Sequence, residues 1–390
     1  MECKKEQLYD ADSYIESFEK CKKESIWKAS VQKYEMNLLR NINRQIKSLK
    51  NNIYKPLPFN EFTLTERGKT RQIKAVSIED RVIMKILCEK ILTPQITKYL
   101  IHDNGASLKG KGLQFTRNRF ETHVHKYYRK HGSNEGYILF MDFSKFFDNI
   151  QHKKLIEQYE TKIEDKELIS FIKLVIDSFK VDVSYMNDEE YDNCLYNIFS
   201  ALDYAEMEKD MLNGEKYMEK SIGIGSQISQ TSGLLYPYKI DNYCKIVKGL
   251  KYYGRYMDDT YVIHESKEYL KELLKEIEQI CKEYGIFINK KKTQIVKMSK
   301  PFTFLKVRYM LTDTGKLIKR INKETVKRER RKLKKLRKKL DNGEIDYKDI
   351  ETSYESWRGN LKHYSSYHTL KNMDNLYNEL FITQFIERGI

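Results

Sequence analysis

Residues 252–263, YYGRYMDDTYVI, place two adjacent carboxylates, Asp258 and Asp259, inside an otherwise apolar run. The run reads as a β-hairpin with the pair at its tip. Like charges that close raise each other's pKa unless a cation is present. A divalent metal removes that penalty. Adjacent strand residues point to opposite faces, so a third carboxylate is expected from a neighbouring strand. The run YILFM, residues 137–141, is short, continuously apolar and flanked by Gly136 and Asp142, as a buried strand would be. Asp142 at its end is the natural third member. A DD pair alone is more often a solvated turn. The apolar hairpin around it and the upstream Asp142 carry the stronger reading. Oxygen ligands suit Mg²⁺, and two such ions can activate an attacking hydroxyl and stabilise a leaving pyrophosphate.

Charge points the same way. Lys and Arg number 72 against 56 Asp and Glu, a net +16 over 390 residues, so the expected partner is a polyanion. No stretch reaches the ~20 apolar residues of a spanning helix, and the start, MECKKEQLYDADSY, lacks a signal-peptide core. The expectation is no membrane and a cytoplasmic location. The six cysteines, at 3, 21, 88, 194, 244 and 281, have neither zinc-clip spacing nor a disulfide framework.

Periodicity outlines the remainder. Residues 12–50 predict one helix with a stripe of Trp27, Val31, Tyr34, Leu38, Ile42, Ile46 and Leu49. A hairpin follows, turning at Arg67-Gly68-Lys69. A helix is predicted over 80–100 with Val82, Ile83, Leu87 and Ile91 inward, and a loop over 101–112. Residues 153–220 read as irregular helix with an acidic stretch at 182–192, an insertion or a partner-facing loop. Helices are predicted over 226–248 and after Ser266, and FINKKKTQIV reads as a strand. Strand, helix, hairpin, helix, strand outlines a ferredoxin-like sheet. Residues 318–340 read as a basic helix: Lys323 to Lys339 holds eleven Lys or Arg and two Glu, or +9. The last segment is helical, with Trp357 in its core.

These motifs together resemble the reverse transcriptases. YMDD in an apolar hairpin is similar to their catalytic box, FMDFSKFFDNI to their first carboxylate motif and GIGSQISQ to their nucleotide-pocket motif. FINKKKT resembles the motif after the palm helix, and FTFLKVRYM the hairpin beneath the primer. KTRQIKAVSIEDRV resembles the fingers hairpin of group II intron-like bacterial enzymes. The order matches from about residue 60 to 310. The resemblance implies an α+β right-hand polymerase with fingers, ferredoxin-like palm and helical thumb. It divides the chain into an N-terminal helical extension (1–50), fingers and palm (51–315) and a basic thumb (316–390).

The resemblance also implies roles. Asp142, Asp258 and Asp259 would be the catalytic carboxylates and, with the backbone of Phe143, the metal ligands. The metal would be two Mg²⁺, with Mn²⁺ as an alternative. Phe147, five residues after Asp142, would be the steric gate that excludes a 2′-hydroxyl and selects dNTPs; otherwise it is a core aromatic. Lys69 and Arg71 would grip the triphosphate, with Lys74 as a nearby alternative. Gly225 would let backbone approach the nucleotide, and Ser229 would supply a hydroxyl. Lys292 would be the general acid for pyrophosphate. Expected partners are an RNA template and primer, dNTPs and a small accessory protein.

Where many relatives carry QGxxxSP, this chain reads Ile224-Gly225-Ser-Gln-Ile-Ser229-Gln230. That departure resembles the reverse transcriptases of diversity-generating retroelements, which copy a template RNA with errors at adenine. Antiphage-defence enzymes vary at the same place. A group II intron-like or retron enzyme, an RNA replicase and a vestigial RNA-binding scaffold are the remaining alternatives; Phe147 argues against the replicase and the three intact carboxylates against the scaffold.

Overall fold

The computed structural model describes residues 5–23, 25–66, 68–205 and 212–383. In chain order the first elements are helices α1 (Ala11–Lys22), α2 (Ala29–Met36) and α3 (Leu38–Lys50), then strands β1 (Asn60–Glu66) and β2 (Lys69–Ala75). Helix α4 (Ile78–Ile86) runs through a π-helical turn (Leu87–Leu92) into α5 (Thr93–Thr97), and α6 (Leu113–His131) precedes β3 (Tyr137–Met141). Next come α7 (His152–Glu160), α8 (Lys166–Asp177), β4 (Val181–Asp182), α9 (Asp188–Tyr196), α10 (Ala201–Ala205) and β5 (Tyr217–Met218). Helices α11 (Gln227–Leu235) and α12 (Tyr238–Asn242) lead to β6 (Tyr253–Tyr256), β7 (Asp259–His264) and α13 (Lys267–Glu283). The chain continues with β8 (Gln294–Lys297), β9 (Phe302–Phe304), β10 (Val307–Leu311), β11 (Leu317–Ile321), α14 (Lys323–Asp341), α15 (Tyr347–Leu361) and α16 (Tyr367–Asn378).

Two compact units are distinguished. The first comprises residues 1–119, 139–262 and 268–294; the second comprises 120–138, 263–267 and 295–390. Within the first, β7 lies between β6 and β3. β3 is buried along nearly its whole length, which is why it reads as an unbroken apolar run. Val82, Ile83, Leu87 and Ile91 all point inward as the period requires. The α13 stripe Leu270, Leu273 and Ile277 does the same. In the second unit, Leu333, Ile350, Tyr354, Met373, Tyr377 and Phe381 form a helical core, against which Trp357 packs.

The structure corrects several boundaries. The single helix expected over 12–50 is three. The chain leaves helical geometry at Asn37 (φ −118°, ψ 29°), and Trp27 is 73% exposed instead of continuing the buried stripe. The basic helix begins at Lys323, not 318: residues 317–321 are β11, paired with β10, and the Asn322 side chain caps α14 by accepting from the Glu324 N–H. Of FINKKKTQIV only the last three residues are strand, the start of β8 (Gln294–Lys297). Arg67, in the fingers turn, lies outside the described residues.

The acidic stretch has a local explanation. Asn187 and Glu190 form a reciprocal capping box at the start of α9, with Asp188 and Glu189 in its first turn, where the helix dipole favours negative charge. This segment has its own small core of Val183, Met186, Phe199, Ala201 and Met218. No helix among the described residues is long and apolar enough to cross a membrane.

Candidate active site

β6 and β7 pair Tyr256 with Asp259, leaving Met257 and Asp258 as the turn. Met257 has φ +53°, a left-handed conformation that is costly with a side chain. Asp259 opens β7, and the Thr260 hydroxyl bonds the carbonyl of Met141, the residue before Asp142. The hairpin therefore brings all three carboxylates to one end of the sheet. Burial raises the Asp258 pKa, and the Asp142 charge adds to it. Asp259 is pushed up to about 7 by burial, then by Asp258 and Asp142. Lys292 and Lys69 both pull these two values down, so both cations are felt at the cluster.

The segment after α13 is bound to Asp142. The Asn289 N–H donates to the Asp142 carbonyl at 2.8 Å, and the Ser144 N–H to the Phe287 carbonyl at 2.7 Å, so Phe143 is bridged to Ile288. Asn289 Nδ2 reaches Asp142 Oδ1 at 3.1 Å. Lys292 Nζ sits 2.8 and 2.6 Å from the two Asp142 oxygens. Of the three lysines in the run, Lys292 is the one whose ammonium reaches Asp142.

Among the described residues, no three acidic, histidine or cysteine side chains converge closely enough to ligate one ion. The ammonium of Lys292 stands on both oxygens of Asp142, where a cation would bind. The donor set is nonetheless hard oxygen, and two of its members are raised in pKa by burial and by the neighbouring carboxylates, a penalty a cation would relieve, so its chemistry fits a divalent metal.

Strand β2 is placed by its alternation. Lys69, Arg71 and Ile73 share one face of β2. Ile73 packs against Gly225, where a Cβ would lie 3.2 Å from Ile73 Cγ2 and 3.1 Å from the Lys74 carbonyl. Gly225 has φ +125°. It therefore permits a close approach of the fingers backbone, and the Lys74 N–H bonds the Ile224 carbonyl at 3.0 Å. Lys69 and Arg71 make no ion pair among the described residues. Lys74, the alternative fingers cation, lies on the other face. It is buried and donates to the Phe179 carbonyl, which removes it from the triphosphate role.

Ser229 stands in the first turn of α11. Its side chain is buried, and its Oγ donates to the Ile222 carbonyl at 2.5 Å and lies 2.6 Å from Ser226 Oγ. It closes the cap of α11. Phe147 is half-buried, edge-on to Phe146. A Cβ on Gly233 of α11 would lie 3.0 Å from the Phe147 ring, so this glycine makes room for it.

Sequence reasoning passed over Arg255 and Asp241. Both are fully buried, and the guanidinium Nη2 lies 2.7 Å from Asp241 Oδ2. An arginine inside the apolar run YYGRYM was the available signal, since such a group is buried only when paired.

A family model described as reverse transcriptase (RNA-dependent DNA polymerase) matches residues 28–309. No curated protein matches the sequence. Among solved structures, the chain is similar to Candida albicans telomerase in complex with a TWJ fragment of telomeric RNA, at 14% identity and TM-score 0.47, over 84% of this chain and 55% of that one. It is also similar to apo telomerase from Candida tropicalis, at 13% identity and TM-score 0.45, over 68% of this chain and 49% of that one. The chain thus spans about half the length of the solved structures it matches.

Proposed function

The chain belongs to the reverse transcriptase family, whose model covers residues 28–309, and from that premise we propose that it is an RNA-directed DNA polymerase adding dNTPs to a primer 3′-end. The observation that carries this reading is the meeting of Asp142, Asp258 and Asp259 with Lys292 at one end of the sheet.

In this reading Asp142, Asp258 and Asp259, with the Phe143 backbone, would hold two Mg²⁺, Asp259 as the weaker ligand. When bound, the ions lower the pKa of the primer hydroxyl and neutralise charge on the pyrophosphate. Lys69 and Arg71 lie on the β2 face that meets Gly225, and they grip the triphosphate through charge-assisted bonds. Lys292, whose Nζ reaches both Asp142 oxygens, would donate a proton to the departing pyrophosphate. Phe147, backed by Gly233, closes the space a 2′-hydroxyl would need. The +9 face of α14 takes nucleic-acid backbone, with the salt dependence that counterion release imposes.

The finer reading is a diversity-generating retroelement enzyme copying a dedicated structured RNA, aided by a small accessory protein. It rests on Ile224 and Gln230, which place an apolar side chain and an amide where many relatives have Gln and Pro. The antiphage-defence reading shares this feature and differs in its RNA. The test is dNTP incorporation on an RNA template with a DNA primer, against an Asp258→Ala, Asp259→Ala double variant. Incorporation lost in the variant supports the polymerase, and errors concentrated opposite adenine support the retroelement role. Equal incorporation by both proteins would overturn the site assignment.

A further inference from the structure

The polymerase reading leaves Arg255 without a role. It lies three residues before Asp258, in β6, at 0% exposure. An uncompensated buried guanidinium is strongly destabilising. Here every nitrogen has a partner. Nε donates to both Asp241 oxygens at 2.9 and 3.0 Å, and Nη2 reaches Asp241 Oδ2 at 2.7 Å. Asp241, itself 0% exposed, also accepts from the Tyr253 hydroxyl at 2.6 Å. That closes the ion pair. Two bonds remain, and they go outward to functional segments.

Nη1 donates to the carbonyl of Met257 at 3.0 Å. Nη2 donates to the carbonyl of Leu234 at 2.9 Å, near the end of α11. Met257 is the left-handed residue of the turn, and its carbonyl belongs to the peptide that leads into Asp258. The orientation of that peptide sets where the Asp258 side chain leaves the backbone. α11 contains the second half of the pocket motif and backs Phe147 through Gly233. The Arg255 backbone is held as well: its N–H donates to the Asp103 carbonyl at 3.0 Å, and its carbonyl accepts from the Gly105 N–H at 2.9 Å. A single rigid fork, anchored on three sides, therefore joins the carboxylate turn to the pocket helix.

We propose that Arg255, held by Asp241, is a positioning residue: it fixes the Met257–Asp258 peptide and so sets the metal-binding carboxylates in register with the nucleotide-pocket helix. Its kinetic consequence rests on the polymerase reading above. Removing the Met257 bond lets the turn relax, and a displacement on the order of 1 Å at reacting groups costs on the order of 100-fold in rate.

The deciding variant is Arg255→Met with Asp241→Leu in the full chain. Replacing a whole buried ion pair by apolar side chains of similar volume is often neutral or stabilising, so fold and positioning separate. The expected result is a urea midpoint near wild type, kcat lower by about 100-fold, and KM for dNTP and Kd for template–primer little changed. Mn²⁺ affinity, titrated by electron paramagnetic resonance without substrate, is expected to weaken about tenfold, which is ~1.4 kcal/mol. Arg255→Lys is the second variant. It keeps a charge beside Asp241 but lacks the fork that reaches Met257 and Leu234 together, and is expected to lose kcat in the same way. A folded variant with wild-type kcat and Mn²⁺ affinity overturns the proposal. Unfolding of both variants also overturns it, since the pair would then serve the fold alone. If wild type incorporates no dNTP, the polymerase reading fails, and the Mn²⁺ titration still decides the role of Arg255.

Discussion

Asp259→Asn should stabilise the metal-free protein, by an amount that grows as pH rises from about 4 to 7. The folded protein holds a proton on Asp259 up to about pH 7, against an ordinary 3.8. The cause is burial first, then the charges of Asp258 and Asp142. A carboxylate whose folded pKa is raised carries no penalty below its unfolded value. The penalty grows as pH rises from 3.8 and is complete above about 7. At ~1.4 kcal/mol per tenfold change in proton affinity, that rise corresponds to ~4 kcal/mol. Asp259 is partly exposed, and solvent screening reduces this to ~2 kcal/mol. Asparagine has nearly the same shape and no charge. The assay is thermal or urea unfolding at pH 5 and pH 8, with EDTA and with Mg²⁺. The variant should gain ~2 kcal/mol over wild type at pH 8 in EDTA and about half of that or less at pH 5. Mg²⁺ should stabilise wild type more than the variant, because a cation that binds only the folded state adds its binding energy to stability. A difference that is the same at both pH values, or that Mg²⁺ leaves unaltered, would refute the like-charge account of this site.

Other expectations follow from the same geometry. Phe147→Ala should raise ribonucleotide incorporation relative to deoxyribonucleotide, read as the ratio of kcat/KM values; an unchanged ratio would make Phe147 a core aromatic only. Gly233→Ala, whose Cβ would lie 3.0 Å from that ring, should shift the same ratio or lower dNTP use while leaving template–primer affinity intact. Lys292→Met should slow incorporation by about 100-fold or more if its proton reaches the pyrophosphate, and should tighten metal binding by freeing Asp142. Converting Lys334, Lys335 and Lys338 of α14 to Gln should lower the slope of log affinity against log salt by up to about three, if each contacts a phosphate on duplex.

Much of the fold was legible because it depends on local pattern. The unbroken YILFM announced a strand covered on both faces, and the four-residue turn of YMDD announced its hairpin. The stripe Val82, Ile83, Leu87 and Ile91 needed only the helical period. The boundaries that misled were set by tertiary partners. Leu317–Ile321 joins β10 as a strand, although its neighbours on the C-terminal side are helical. Trp27 continues a stripe in sequence that the chain abandons in space. The acidic stretch looked like a partner surface because net charge conceals that three of its acids sit in the first turn of α9.

Residue chemistry announced a carboxylate site, since Asp142 and the Asp258–Asp259 pair are costly without a cation wherever they meet. Which lysine of three answers Asp142, whether Ser229 faces a nucleotide or its own helix cap, and whether Lys74 or Arg71 faces the pocket were questions of side-chain direction. Direction follows from strand register and from contacts made by residues far apart in sequence: Lys292 finds Asp142 across 150 positions, and the absence of a side chain at Gly225 lets Ile73 and the Lys74 carbonyl come close to it. A pattern of residue types fixes what a site requires, and the packing of distant segments chooses the side chain that supplies it.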